Sequence, residues 1–453
     1  MLWIAVYGIQ GDVGRGLHID DVMQGCCPGG DCFVVRQFQV FRVHSLNWGI
    51  LQNAFRFEIN PGRSVPSVFR HRWGGRWHDF CRHVGAEACA LFHAEHPQGA
   101  VSLEPIRNAE ELNSAIRAAG TTPTVITLGE DIYGYIIIPR GADVTFEGLH
   151  GSAQPVVLEF NGRRQVGDSF MVVADRTSAT VWIENGGRLT LEDGVLITGS
   201  AGPGVRNHGI FVMNGGEISG NSSETLTNNR VGGRLTGSGG GVVNFGDFTM
   251  NGGIITNNSA GWGGGGVNNS NRGFFTMYGG TIANNTTGGV GVGSAAGGGV
   301  DNNGTFVLNG GMIVGNEASG ARGGGVNNSG SFAMFGGSIT LNTASGFSVS
   351  GGGVHNTGDF TLSGGDISHN NASGTGADGG GVSNWDTFTM NGGHITGNTA
   401  LGNATVRGAG GGVLNAGTFT INSGTISGNE AGRGDNDIGR SNIFRRENFN
   451  DNR

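Results

Sequence analysis

The sequence contains no lysine, so all 27 basic residues are arginine, and 35 acidic residues give a formal net charge of −8. A chain of this kind offers no basic stripe for phosphate groups, which argues against a nucleic-acid partner or an anionic membrane surface. No run of about 18 apolar residues occurs either, so no transmembrane helix is predicted. These absences leave a mildly acidic chain with no helix that would cross a bilayer.

Cysteine is absent from most of the chain, because the five cysteines all lie in the first hundred residues: Cys26, Cys27, Cys32, Cys81 and Cys89. The remainder is therefore expected to fold without disulfides, and cysteine usage does not indicate a compartment. Residues 1–103, which also contain His78, His83 and His93, are rich in Arg, His and Trp and show no repeat.

Several interpretations of residues 1–103 are open. A small zinc-binding domain would use the cysteines and histidines as ligands, but the paired spacings CxxC and HxxxH are missing, so no metal is predicted. The segment also fits a disordered region, or a translation start assigned too far upstream. Its first residues, MLWIAVYGIQGD, lack a basic n-region and a small-residue cleavage site, so they do not resemble a secretory signal.

One motif is repeated in residues 205–431. It has the form GGGVxNxGxFTMxGGxIxxNxA and reads GGGVVNFGDFTMNGGIITNNSA from Gly239. Within that copy Val242, Asn244, Phe248 and Met250 are separated by even numbers of residues, as are side chains on one face of a strand. Thr, Ser, Asp and Asn fill the other positions, so the second face is predicted to face solvent. The copies align on eight valines: Val205, Val242, Val267, Val300, Val326, Val354, Val382 and Val413.

A single copy cannot bury its apolar face, but stacked copies can, with equivalent residues about 4.8 Å apart. Stacking would form a column of phenylalanines (Phe211 to Phe419), a column of isoleucines (Ile218 to Ile426) and two columns of asparagines (Asn207 to Asn415 and Asn221 to Asn429). Stacked amides can hydrogen-bond along the column. The sequence therefore predicts an all-β, right-handed parallel β-helix with three short strands in each coil.

The repeat resembles the right-handed parallel β-helix proteins of the pectate-lyase-like superfamily, and among them the Gly-Gly-rich bacterial surface proteins. Chlamydial-type polymorphic outer-membrane proteins carry GGA[ILV] and FxxN, where this chain has GGGV and IxxN. The resemblance extends over residues 104–431. It implies the β-helix fold and a surface or adhesin role, although one fold serves many functions.

Residues 104–204 are predicted to form the N-terminal cap and about three irregular coils. Asn108 and Glu111 resemble a capping box, and Leu112 and Ile116 share the apolar face of a short helix that would cover the open end of the solenoid. The predicted strands that follow are Thr124–Leu128, Tyr135–Ile138, Val144–Phe146, Val156–Phe160, Phe170–Val173, Val181–Ile183 and Arg188–Leu191. The polar tail, residues 432–453, is expected to shield the last coil.

The variable segments of the repeat all lie between the second asparagine and the next GGG. The longest are Ser222–Ser238, Thr286–Ala296 and Leu401–Ala409. They are expected to project from one edge of the solenoid, where a carbohydrate or a host or cell-surface protein would bind.

Catalytic residues are harder to find, because the motifs of polygalacturonase-like hydrolases and the calcium-binding aspartates of pectate lyases are missing. The best candidates are Asp366 and His394, at the same outward position of successive copies, with His355, Asp359 and His369 nearby in sequence. A carboxylate that orients a histidine could act in acid–base chemistry or hold a metal. Outward positions of a polar repeat also hold such residues by chance. No catalytic, cofactor or metal residue is therefore predicted.

The tripeptide Arg433-Gly434-Asp435 is too short to indicate integrin binding. The favoured hypothesis is a non-catalytic, secreted or cell-surface β-helix that needs no cofactor and acts as an adhesin-like or structural binding module. The alternative is a polysaccharide lyase or glycoside hydrolase. A third interpretation is a fragment of a larger surface protein without a function of its own.

Overall fold

The structure, a computed structural model, forms two compact units, Met1–Glu95 and His96–Arg453. It describes residues 106–149, 154–160, 179–223, 237, 239–288, 297–402 and 408–440, and the backbone alone of four further short strands. Two of those strands, Met23–Cys26 and Cys32–Val35, pair antiparallel in the first unit. The other cysteines and histidines that were considered as zinc ligands lie outside the described residues: Cys27, Cys81, Cys89, His78, His83 and His93.

The predicted N-terminal helix is confirmed as Ala109–Ala119. The backbone N–H of Glu111 donates to Asn108 Oδ1 at 2.9 Å, which satisfies one of the free amides of the first turn. Leu112 and Ile116 are buried in the core of the solenoid. Asn113 joins the helix to the first coil, because its amide donates to the carbonyl of Tyr135 at 2.7 Å and accepts from the amide of Ile137 at 2.8 Å.

The solenoid is built from four parallel sheets, three of 11 strands and one of 8. We name the first three after their main buried residue. The valine sheet consists of Ile136–Ile138, Val181–Ile183, Val205–Asn207, Val242–Asn244, Val267–Asn269, Val300–Asn302, Val326–Asn328, Val354–Asn356, Val382–Asn384, Val413–Asn415 and Ile438–Arg440. The phenylalanine sheet consists of Thr124–Leu128, Asp143–Gly148, Arg188–Leu191, Ile210–Met213, Asp247–Met250, Phe274–Met277, Thr305–Leu308, Ser331–Met334, Asp359–Leu362, Thr387–Met390 and Thr418–Ile421.

The isoleucine sheet consists of Ile132–Tyr133, Val156–Glu159, Val195–Thr198, Glu217–Ser219, Ile254–Thr256, Thr281–Ala283, Met312–Val314, Ser338–Thr340, Asp366–Ser368, His394–Thr396 and Thr425–Ser427. The fourth sheet consists of Ser222–Ser223, Ser259–Ala260, Thr286–Gly288, Glu317–Ser319, Thr343–Phe347, Asn371–Thr375, Thr399–Ala400 and Glu430–Ala431. Each strand pairs in register with its counterpart in the next copy, so the all-β parallel β-helix is confirmed.

The predicted columns run through the interior. The phenylalanine rings from Phe211 to Phe419 stack with centroids 4.5 to 4.9 Å apart. In the first asparagine column the amide of Asn244 donates to Asn269 Oδ1 at 2.8 Å. In the second, the amide of Asn285 donates to Asn316 Oδ1 at 3.0 Å. Buried amides are thus satisfied by one another from coil to coil.

Two glycines illustrate why the repeat is so rich in this residue. Gly280 has a φ of 83°, and a Cβ there would lie 2.7 Å from Met250 Cε. Gly324 passes so close to the next coil that a Cβ would lie 2.4 Å from the carbonyl oxygen of Gly352. Positive φ and backbone-to-backbone approach both require the absence of a side chain.

The prediction of three strands in each coil was wrong for most of the repeats, because the variable segment begins with a strand of the fourth sheet. These strands bury one small side chain each, for example Ala344 and Ala372, which pack with Val349, Ala377 and Ala400 in a second, small core. Two-residue to five-residue strands are too short to show a period of two in the sequence. The parts of the longest predicted loops beyond these strands lie mostly outside the described residues.

Two further predictions were wrong. The middle residues of the valine-sheet strands were expected to face solvent, yet from Val243 to Leu414 they are buried, because the chain returning from the fourth sheet covers them. The predicted coil strand Phe170–Val173 is Ser169–Val172 in the structure, and it pairs antiparallel with Arg163–Val166 outside the solenoid sheets. Only two residues separate these strands, a length that favours a hairpin over a coil.

The end of the described chain covers part of the last coil. Ile438–Arg440 adds a strand to the valine sheet beside Val413–Asn415. Asp437 Oδ1 accepts from the backbone N–H of Asn429 at 3.2 Å and from its side-chain amide at 2.9 Å, so a carboxylate ends the second asparagine column. The shielding role expected for the whole tail stays a prediction, since residues 441–453 lie outside the described residues.

Candidate functional site

The five residues singled out in the sequence are distributed over three sheets. Asp366 and His394 are exposed neighbours in register on the isoleucine sheet, one strand apart. His369 follows the strand of Asp366 and is exposed with a left-handed φ of 54°. Asp359 is exposed on the phenylalanine sheet, and His355 is buried in the valine sheet. Among the described residues no three His, Cys, Asp or Glu side chains come together as a metal site.

A buried polar group lies instead on the covered face of the valine sheet. Asp301 accepts from the side-chain amide of Asn327 at 2.8 Å, of Asn268 at 3.0 Å and of Asn303 at 3.2 Å. Burial raises the pKa of Asp301 from 3.8 to about 6, because the three amides only partly replace water around the charge. This group could not be predicted, since asparagine and aspartate at these positions of the repeat resemble ordinary surface residues.

His355 lies two strands further along the same face. Its Nδ1 is 3.0 Å from Ser350 Oγ, and its Nε2 is buried without a hydrogen-bond partner. Burial, assisted by the charge of Arg322, lowers the pKa of His355 from 6.5 to about 3. The imidazole is therefore neutral at physiological pH, and with both side chains buried this Ser–His pair has no open access for a substrate.

The shifted pKa values of Asp301 and His355 predict opposite changes in the stability of the protein as the pH falls. Between pH 6 and 4 the folded protein holds a proton on Asp301 that the unfolded chain lacks, so this group adds stability as the pH falls. In the same range the unfolded chain holds a proton on His355 that the folded protein lacks, so that group removes stability. In the native protein the two contributions largely cancel.

Single substitutions are expected to expose each contribution. Relative to the native protein, Asp301→Asn should lose stability on going from pH 6 to pH 4, at up to about 1.4 kcal/mol per pH unit. His355→Asn should gain stability over the same range at a similar rate. Urea unfolding at a series of pH values measures both slopes. Two slopes of the same sign would contradict the assignment of these groups as buried and shifted.

A different surface carries exposed apolar side chains. Ile254, Tyr278, Met312 and Phe335 come from four successive coils and lie on or beside the corner between the phenylalanine and isoleucine sheets. All four are exposed, with Tyr278 at 59% and Phe335 at 57%. We call this set the apolar patch. It borders a shallow groove on the phenylalanine sheet. The groove is lined by Arg188, Ile210, Asp247, Phe274 and Thr276.

The apolar patch was not predicted, because it follows from stacking. Tyr278 is separated from Phe335 by more than fifty residues in sequence, and only the register of the coils brings the two to one corner. Exposed apolar groups gathered on one surface commonly mark a binding site.

Comparison of this chain with protein-family models, with curated proteins and with solved structures finds no match. The β-helix fold therefore rests on the strand pairing itself, while the pectate-lyase-like family and the adhesin type stay hypotheses. No helix within the described residues is long and apolar enough to span a membrane.

Proposed function

We propose that this chain is a non-catalytic, extracellular or cell-surface β-helix of adhesin-like type, and that its apolar patch binds a neutral, linear carbohydrate. The observation that carries the proposal is the exposure of aromatic side chains at corner positions. The other copies of the repeat have asparagine or serine at these positions. The surface role follows the resemblance of the repeat to bacterial surface proteins.

The corner position after each phenylalanine-sheet strand shows what the fold requires there. It holds asparagine in most copies, and the amide of Asn251 donates to Asn214 Oδ1 at 2.8 Å, as that of Asn422 does to Asn391 Oδ1 at 2.7 Å. Tyr278 and Phe335 interrupt this row without adding to the core, since both rings are mostly exposed. Exposed aromatic rings that do not stabilise the fold are readily explained by a partner.

The chemistry of the corner fits a sugar chain. Tyr278 and Phe335 are two coils apart, roughly 10 Å along the axis, with Asn309 between them. Aromatic faces offer apolar area for sugar rings, and the intervening amide offers hydrogen bonds for hydroxyl groups. The patch contains no charged side chain, so a neutral carbohydrate parallel to the axis is favoured over an acidic one.

The test replaces both aromatic residues by the residue of their own column. The double variant Tyr278→Asn, Phe335→Asn is expected to bind neutral polysaccharides at least tenfold more weakly than the native protein, because loss of two stacking rings removes well over 1.4 kcal/mol. A glycan array followed by calorimetry on the tightest neutral ligand measures this loss.

Phe347→Ser is the matched control, since Phe347 is equally exposed, at 61%, but belongs to the fourth sheet. It should bind as the native protein does, and all variants should keep the native melting temperature. Absence of any neutral glycan ligand, or equal binding by the double variant, would overturn the carbohydrate proposal. Binding of a cell-surface protein that the double variant loses would replace the carbohydrate by a protein partner.

One observation favours the alternative of a polysaccharide lyase or hydrolase, namely the exposed pair Asp366 and His394 in register. Incubation with a carbohydrate panel, with and without Ca²⁺, would reveal new reducing ends if the chain is an enzyme. Activity that disappears in Asp366→Ala and in His394→Ala would refute a non-catalytic role. Protease shaving of producing cells tests the surface location.

A further inference from the structure

An aromatic stack with an arginine lies on the outer side of the first regular coils. Trp182, His208 and Phe245 come from three successive coils, and their rings stack with centroids 5.1 and 4.6 Å apart. The guanidinium carbon of Arg206 is 5.7 Å from the ring centroid of Trp182 and 5.7 Å from that of Phe245. Arg206 and His208 therefore lie side by side between the two outer rings.

Two buried nitrogens of this stack lack a hydrogen-bond partner. Arg206 Nε and His208 Nε2 are both buried without a hydrogen-bond partner. Burial lowers the pKa of Arg206, and Tyr135 acts on it in the opposite direction, so no carboxylate of the described residues balances the guanidinium. Burial and the neighbouring charge of Arg206 likewise lower the pKa of His208. Two adjacent buried nitrogens without a hydrogen-bond partner are costly for the fold.

The fold does not require these residues. Arg206 pairs in register with Trp182 on one side and with Val243 on the other, so the position accepts an apolar side chain. The contacts with the two rings stabilise the charge of Arg206, but they provide no hydrogen-bond acceptor for its Nε. A stack needed only for packing would be more stable without the guanidinium.

We propose that Arg206 and His208 form a binding site for an oxyanion, with Trp182 and Phe245 as its walls. A carboxylate, sulfate or phosphate group presents two or more acceptor oxygens, which match the planar fork of a guanidinium and the adjacent imidazole N–H. Trp182, Arg206 and His208 are partly exposed and Phe245 is 37% exposed, so the site reaches the surface. It is separate from the apolar patch and does not depend on the carbohydrate proposal.

The experiment titrates the full chain with sodium sulfate, sodium phosphate and sodium acetate at constant ionic strength, with chloride as the background anion. Calorimetry should show one site, and the order of affinities identifies which oxyanion fits. Arg206→Met, which keeps the stem of the side chain, should weaken binding at least tenfold. His208→Phe, which keeps a ring in the stack, should weaken it severalfold. Both variants should melt no lower than the native protein without the anion.

Location and specificity need separate controls. Arg272→Gln removes an exposed arginine outside the stack and should leave the affinity unchanged. Crystals soaked in sodium selenate should show an anomalous peak beside Arg206, with a selenate oxygen within hydrogen-bond distance of Arg206 Nε. Binding that survives Arg206→Met, binding seen only at soaking concentration, or no binding of any of the three anions would each overturn the proposal.

Discussion

Replacement of Asn316 by alanine is expected to lower the free energy of unfolding by roughly 3 to 5 kcal/mol. Asn316 Oδ1 accepts from the backbone and side-chain N–H groups of Asn285, both at 3.0 Å. Its own amide donates to the carbonyl of Ile282 at 3.0 Å and to Asn342 Oδ1 at 2.9 Å. Alanine would leave buried donors and an acceptor unsatisfied in the middle of the solenoid, and each such group costs about 1 to 3 kcal/mol.

Two further variants test whether the hydrogen bonds of the second asparagine column, rather than the simple loss of a side chain, account for this effect. Asn316→Asp retains acceptors but loses the donated bonds and buries a carboxylate, so it should destabilise the protein at least as much at neutral pH. Asn309→Ala removes an exposed asparagine of the corner and should cost no more than about 0.5 kcal/mol. Because solenoids unfold locally, urea unfolding should be combined with hydrogen exchange of the neighbouring coils. Equal losses of stability in Asn316→Ala and Asn309→Ala would contradict a stabilising role for the second asparagine column.

Phe306→Ala is expected to cost about 3 to 5 kcal/mol, the usual range for a buried phenylalanine. The ring of Phe306 lies between those of Phe275 and Phe332, with centroids 4.7 and 4.8 Å away, and no part of it is exposed. The cavity would open at the centre of the column, where strands held on both sides cannot move inward to fill it. Chemical denaturation measures the loss.

Phe335→Ala provides a control of the same chemistry, because Phe335 is in the neighbouring coil but mostly exposed. Its effect on stability should stay within about 0.5 kcal/mol, while the carbohydrate proposal expects it to weaken binding. Phe306→Leu should fall between the two, since leucine fills much of the volume. If Phe306→Ala and Phe335→Ala destabilise equally, the column does not support the fold as described.

The repeat could be recognised in the sequence because a solenoid places equivalent residues on top of one another. Phe306 and Asn316 must occur at the same place in each copy, since each packs against its own counterpart in the next coil. The helix cap was equally local, as Asn108 and Glu111 interact within one turn. Periodicity and capping are short-range signals, so sequence alone was sufficient for them.

The fourth sheet could not be predicted from such short-range signals. Strands such as Ser259–Ala260 contain too few residues for an alternating pattern, and they exist because the coil above and below provides hydrogen-bond partners. His355 was expected on an open surface, yet the returning chain at Ser350 covers it. When a neighbouring segment of the same coil buries a residue, the sequence around that residue shows no pattern that predicts the burial.

The sequence by itself determined the parallel β-helix, its phenylalanine and asparagine columns and its N-terminal cap, because those features repeat or act over a few residues. Only the tertiary structure decided which polar residues are buried, as for Asp301 and His355, and which side chains meet across coils, as for Arg206, Trp182 and Phe245. Their proximity depends on strand register and on the path of the variable segments. Both arise from long-range contacts that no local pattern encodes.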